Sequence, residues 1–150
     1  MPEETSRERV GRLIQHVARN WRRAVNLRMA PLGLTDATWL PLLYLNRAGS
    51  VRQGELADYL GLDRSSVVRL IDTLAAQGLV RRQDDPGDRR ARRIVLTPAA
   101  APVVRAALEA AAQVRAVALE GLDDEALAVT AAVLASILAH LAEAAEVMPE

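Results

Sequence analysis

Apolar residues recur at helical spacing early in the chain, at Val10, Leu13, Ile14, Val17, Trp21, Ala24 and Val25, with Arg and Asn between them. The pattern predicts a long amphipathic helix that ends near Pro31–Gly33. Thr35 is positioned to cap a second helix running to about Arg47. Pro41 falls inside that helix and cannot donate to the Ala37 carbonyl, so a local bend or a late helix start is expected. Gly49 and Ser50 mark a turn. Residues 53–60 then place Leu56, Ala57 and Leu60 on one face, and Gly61 follows as a left-handed turn residue. Asp63 caps a further helix from Arg64 to about Gln77, with Val67, Leu70, Ile71 and Leu74 as its core face, and Gly78 ends it. Two short helices joined by a tight Gly turn have helix-turn-helix spacing.

The pattern changes after Gly78. Leu79–Gln83 and Ala91–Thr97 read as two strands, with Asp84–Asp88 (including Pro86 and Gly87) as the turn. Thr97 and Pro98 are suited to N-cap and first helical position of a helix to about Glu120. Asp123 caps a last helix to about Val147. Of residues 98–147, 19 are Ala, which favours helix and lets helices approach closely. The expected fold is mainly α with a small β-hairpin wing after a helix-turn-helix. Neither helical end can bury a face alone, so the ends should pack on each other and on a second subunit. The implied division is 35–97 as the winged helix-turn-helix domain, with 1–34 and 98–150 as the dimerisation region.

Charge sharpens this picture. The chain has 150 residues, 19 basic and 19 acidic side chains and no Lys, so every basic residue is Arg. The zero net charge is a cancellation. Residues 1–46 and 47–93 each carry +3, and residues 94–150 carry −6. Residues 81–93 hold six Arg against three Asp, a basic wing suited to phosphate.

Composition narrows the chemistry. There is no Cys, hence no disulfide, thiolate metal site or thiol switch. Two His residues leave little for a histidine metal site, and no metal or cofactor is expected. Asp84, Asp85 and Asp88 form an acidic cluster, but it lies among the wing Arg residues and is not read as a cation site. No GxSxG, HExxH, P-loop or GxGxxG pattern occurs, and no nucleophile–base constellation can be assembled, so an enzyme is not expected. The N-terminus is charged and lacks the apolar core of a secretory signal. The most apolar stretch, Ala126 to Ala142, is Ala-rich and acid-flanked, and is read as no membrane span. A cytoplasmic location is expected.

Recognition helices read the major groove from their first turns, which singles out Arg64, Ser65, Ser66 and Arg69. Arg can grip guanine with two hydrogen bonds, and Ser can meet a base edge or a phosphate. The alternatives are pairing of the Arg residues with Asp63 or Asp72, and simple capping by the serines. Arg81 and Arg82 could pair with Asp72 or Asp84 to fix the wing.

From about Leu13 to Leu141 the chain resembles the MarR (multiple antibiotic resistance regulator) family of winged helix-turn-helix transcription factors. The motifs carrying the resemblance are LGLTDATW at 32–39, GELADYLGLDRSSVVRLIDTLAAQGLVRR at 54–82 and DPGDRRARRIVLT at 85–97. It implies a homodimer on a palindromic double-stranded DNA operator, probed by two recognition helices, and a repressor controlled by a small phenolic or anionic effector. Asp88, Arg89 and Arg90 match the family's wing tip, where the Asp orients an Arg that enters the minor groove. Arg92 and Arg93 would touch phosphates or shield the strand. Arg52 stands where the family commonly has a Ser or Thr cap, which leaves Ser50 as the cap or offers Arg52 to a phosphate. Effector candidates implied by the family's pocket are His16, Asn20, Arg23, Trp39 and Tyr44. The alternative is a winged-helix module that binds a protein partner without sequence-specific DNA binding.

Overall fold

The computed structural model describes residues 4–147. Its elements run α1 (Ser6–Met29), α2 (Asp36–Ala48), β1 (Ser50–Arg52), α3 (Gln53–Leu60), α4 (Arg64–Ala76), β2 (Val80–Asp85), β3 (Asp88–Leu96), α5 (Ala101–Ala118) and α6 (Asp124–Val147). Short 3-10 turns, Ala30–Leu32 and Pro98–Ala100, precede α2 and α5. The chain divides into two compact units, residues 1–114 and 115–150.

In the first unit, α1 begins four residues earlier than the apolar stripe suggests, because Thr5 and Glu8 form a reciprocal cap. The Thr5 N–H donates to Glu8 Oε2 at 2.8 Å, and the Glu8 N–H donates to Thr5 Oγ1 at 3.3 Å. The stripe itself splits. Val25 and Met29 are buried, whereas Val10, Leu13 and Val17 are exposed in the single chain. α2 runs without interruption through Pro41, which is buried. The late start expected from that proline does not occur. Ala37, whose carbonyl loses its helical N–H partner to Pro41, is an exposed residue.

Three strands form one antiparallel sheet in the order β1-β3-β2. The sequence pattern gives the β2–β3 hairpin but not β1, which starts at Ser50 directly after the bend at Gly49 and pairs Val51 with Ile94. The hairpin is also longer and tighter than its turn composition implies. Asp84, Asp85 and Asp88 lie in strands, Asp85 faces Asp88 in register, and only Pro86 and Gly87 make the turn. A register irregularity between Asp84 and Asp85 re-aims the second of these side chains.

Two buried clusters hold this unit together. Leu42, Leu45, Val51, Leu56, Val67, Ile71, Leu74, Val80, Ile94 and Val104 form the core beneath the sheet and the helix-turn-helix. Val25, Met29, Trp39, Ala107, Ala110 and Val114 join α1, α2 and α5. Small Ala side chains on α5 let the helices close on Trp39. The indole N–H of Trp39 donates to Asn26 Oδ1 at 2.8 Å, so its polar edge is satisfied. Thr97 does not cap the following helix through its side chain. Its hydroxyl instead donates to the Gly78 carbonyl, tying the end of β3 to the end of α4.

In the second unit, Asp123 accepts from the Ala126 N–H at 3.1 Å and starts α6. Leu127, Leu134, Leu138 and Leu141 recur at spacings of seven, four and three, and all but the partly buried Leu127 are exposed. By length and composition alone α6 is apolar enough to cross a membrane, although nine of the residues from Asp124 to Glu146 are Ala.

Candidate nucleic-acid interface

Two adjacent helices and a hairpin set the geometry. Gly61, at φ 65°, turns the chain left-handed between α3 and α4, a conformation that a Cβ would strain. Asp63 then organises the first turn of α4. Its Oδ1 accepts from the Ser65 hydroxyl at 2.7 Å and the Ser66 N–H at 2.8 Å, and its Oδ2 accepts from the Ser66 hydroxyl at 2.8 Å. These hydrogen bonds hold the Asp63 carboxyl well below the usual carboxylate range. Ser65 and Ser66 therefore take part in capping, each with its hydroxyl hydrogen turned to Asp63.

Arg64 and Arg69 lie exposed beside them. Neither pairs with Asp63 or Asp72; among the described residues they form no ion pair, and Arg69 Nε makes a long 3.4 Å contact with the Ser65 carbonyl. Asp72 instead pairs with Arg82, at 2.7 Å, and fastens α4 to β2. Arg92 pairs with Asp84 at 2.9 Å across the hairpin, on side chains exposed enough that the pair contributes little stability.

At the wing tip Arg89 and Arg90 are exposed and form no ion pair among the described residues. Asp88 does not brace a guanidinium. Its Oδ1 accepts from the Arg90 backbone N–H at 2.9 Å, so it shapes the tip through the main chain. The guanidinium-bracing acid is Asp85, which composition alone assigns to an open turn. It is 6% exposed. Its Oδ2 accepts from Arg52 Nε at 2.9 Å and Arg93 Nε at 3.1 Å, and its Oδ1 accepts from the Gly87 N–H at 2.8 Å. The Gly87 N–H and the Arg52 hydrogen bond hold its carboxyl down to about 2, against the opposing effect of burial. Arg93 also donates through Nη1 to the Ser50 carbonyl at 3.1 Å and to the Ser50 hydroxyl at 2.9 Å.

These contacts choose between sequence alternatives in two places. Arg93 faces inward to Ser50 and Asp85, the position of a residue that shields the strand and not of a free phosphate ligand. Ser50 belongs to β1 and does not cap α3. The α3 N-terminus is closed by Glu55, whose Oε2 accepts from the Arg52 N–H at 2.6 Å.

The effector candidates fall into separate places. His16, Asn20 and Arg23 share an exposed face of α1, where the Asn20 amide donates to the His16 carbonyl at 2.8 Å. A shallow concavity beside them is lined by Arg19, Arg22, Arg23 and Asn26, among other α1 residues. Trp39 is in the α1–α2–α5 core. Tyr44 stacks on Tyr59 of α3, with ring centroids 3.9 Å apart, and Arg47 lies 5.8 Å and 6.0 Å from the two ring centres. The Tyr44–Arg47 half of that stack has helical i, i+3 spacing; its Tyr59 half depends on how α2 meets α3 and carries no local signature.

Comparison with known proteins agrees with the geometry. The model of the MarR family matches residues 32–91. The solved structure of the transcriptional regulator PA3341 is 41% identical, with TM-score 0.83 over 89% of this chain and 98% of that one. A MarR family regulator from Rhodococcus sp. RHA1 is 28% identical, with TM-score 0.75 over 90% of this chain and 96% of that one. A mutant of MarR from E. coli, solved in complex with operator DNA, is 26% identical, with TM-score 0.72 over 86% and 93% of the two chains. A helix-turn-helix with a three-stranded wing, and likeness of this extent over nearly the whole chain, lead to one conclusion: the chain belongs to the MarR family of winged-helix transcriptional regulators.

Proposed function

We propose that this protein is a homodimeric repressor that binds a palindromic DNA operator and is released or retained by a small anionic ligand. The observation that carries the DNA reading is the placement of four exposed guanidinium groups at the first turns of α4 (Arg64 and Arg69) and at the wing tip (Arg89 and Arg90), none of which forms an ion pair among the described residues. Of the other wing arginines, Arg82, Arg92 and Arg93 pair with carboxylates, whereas Arg81, like the residues at the two reading positions, forms no ion pair among the described residues. In this reading α4 enters the major groove, with Arg64, Ser65, Ser66 and Arg69 nearest the bases and flanking phosphates. The wing tip, shaped by Asp88, offers Arg89 or Arg90 to the minor groove, whose narrow stretches attract Arg. Arg52, and Arg92 once released from its exposed pair, meet the backbone.

The dimer reading rests on exposed apolar positions on two helices, Val10, Leu13 and Val17 on α1 and Val133, Leu138 and Leu141 on α6. A two-fold dimer would set two recognition helices about one helical turn of DNA apart. The ligand reading rests on Arg19, Arg22 and Arg23 at one concavity of α1, with His16 and Asn20 beside it. Trp39 and Tyr44 would act there through packing, by relaying a shift of α1 or α3. A ligand that favours one spacing of the recognition helices shifts the population by its differential affinity.

The test is a mobility shift with a duplex enriched by the protein from a randomised pool and a scrambled duplex of equal length. Specific binding that weakens steeply with salt supports the reading. Absence of an enriched duplex, with a monomeric or partner-bound protein, overturns it in favour of a protein-binding module.

A further inference from the structure

Arg52 of β1 and Arg93 of β3 stand directly opposite each other in antiparallel register. Two like charges at such a pair repel, and each would destabilise the sheet unless a counter-charge intervenes. Asp85 supplies it from the far edge strand. In the order β1-β3-β2, its carboxylate reaches past β3, and one oxygen takes an Nε–H from each guanidinium. The other oxygen holds the Gly87 N–H of the wing turn. A single carboxylate thus joins all three strands, the wing turn and the residue that immediately precedes α3.

The way Arg52 is held matters. Only its Nε is engaged, and among the described residues no hydrogen bond occupies its two terminal nitrogens. A guanidinium gripped by Nε keeps a planar pair of donors facing away, matched to two phosphate oxygens. The first helix of a helix-turn-helix crosses the DNA backbone, and Arg52 stands at its start.

We propose that Asp85 is a positioning residue for DNA binding: acting through Arg52 and Arg93, it fixes the wing relative to the start of α3 and presents Arg52 to a backbone phosphate. This rests on the DNA reading above. The proposal makes an unusual prediction about sign. Removing an acidic side chain beside a DNA-binding surface should strengthen binding if charge alone matters. If Asp85 positions the wing and Arg52, removing it weakens specific binding.

The experiment compares wild type, Asp85→Asn and Arg52→Lys on the enriched duplex and the scrambled one. Asp85→Asn is expected to lose about tenfold in affinity for the enriched duplex while the scrambled duplex binds as well or better. Arg52→Lys keeps the charge and leaves Asp85 a partner, but one ammonium cannot serve carboxylate and phosphate with the same planar geometry, so it too should lose specific affinity. In an Arg52→Gln, Arg93→Gln background, Asp85→Asn should add less than about twofold, because residues acting as one unit are not additive. A thermal melt separates these effects from unfolding, and Arg52→Lys serves if Asp85→Asn does not fold. Unchanged or tighter specific binding by Asp85→Asn, or full affinity in Arg52→Lys, overturns the proposal while the DNA reading stands. A wild-type protein that enriches no duplex overturns both.

Discussion

The hydroxyl of Ser65 donates to Asp63 Oδ1 at 2.7 Å, at the first turn of the helix expected to read DNA. With its hydrogen so engaged, the Ser65 oxygen has only lone pairs to offer outward. In the major groove, the groups that donate to such an acceptor are the adenine N6 and cytosine N4 amines. Ser65→Ala is therefore expected to cost about fivefold in operator affinity, the worth of one ordinary hydrogen bond. The loss should be confined to duplexes with adenine or cytosine at one position per half-site. Titrations against duplexes substituted at each half-site position check this. A uniform loss across all of them would mean that Ser65 serves only as part of the cap.

The wing-tip arginines carry the second expectation. Arg89 and Arg90 are exposed and take part in no ion pair among the described residues, so replacing them disturbs no observed salt bridge. Arg89→Ala with Arg90→Ala should lower operator affinity about tenfold or more and reduce the slope of log affinity against log salt by roughly 2. The thermal midpoint should stay close to wild type. Binding isotherms at three salt concentrations, with a melt of the same preparation, measure both. Unchanged operator binding by the folded double variant would remove the wing from the interface.

Much of this arrangement is legible in the chain, and the parts that are not share a physical cause. Gly61, the Asp63 cap and the Val67–Ile71–Leu74 face each have a local signature, because helix caps and apolar periodicity act within a few residues. β1 has three residues, too few for alternation to show, and its partner β3 lies some forty residues later. Asp85 is misread for a related reason. Asp-Asp-Pro-Gly-Asp has the composition of an open turn, yet the strands continue to its two-residue centre and the second Asp becomes buried. Its partner Arg52 lies 33 residues away, so only the folded sheet brings the pair together. The exposed half of the α1 stripe is a different case: the pattern marks it for burial without saying against what, and the single chain leaves it uncovered.

Acid should probe the same carboxylates. Asp85 is held down to about 2 by the Gly87 N–H first, then by Arg52 and, to a smaller degree, Arg93. Asp63 is lowered by the Ser65 and Ser66 hydrogen bonds. In the unfolded chain both return to the ordinary carboxylate range, so in the acid interval the unfolded state binds more protons. Their contribution is fully present above about pH 5 and is lost as pH falls toward about 2. Stability measured by urea at a series of pH values should therefore decline across that interval. The decline should be shallower in Asp85→Asn, which begins less stable at neutral pH and converges on wild type in acid. Parallel curves for the two proteins would show that the Asp85 contacts do not persist in solution.

The dimer can be tested on α6 without injuring the protomer. Leu138 is 68% exposed in the single chain, so Leu138→Glu removes little buried area from the chain's own core. Within a dimer interface the same change would place an unpaired carboxylate among apolar side chains, which is strongly unfavourable. The expected result is a folded monomer by sedimentation, with an unchanged helical spectrum. Operator affinity should fall by more than about a hundredfold, because each half-site is then bound without the gain from linking two sites. The Arg residues at the wing and α4 are untouched, so weak, salt-sensitive binding to any duplex should remain. A Leu138→Glu protein that stays dimeric would place the interface elsewhere. One that becomes monomeric yet keeps full operator affinity would mean that a single winged helix reads the site.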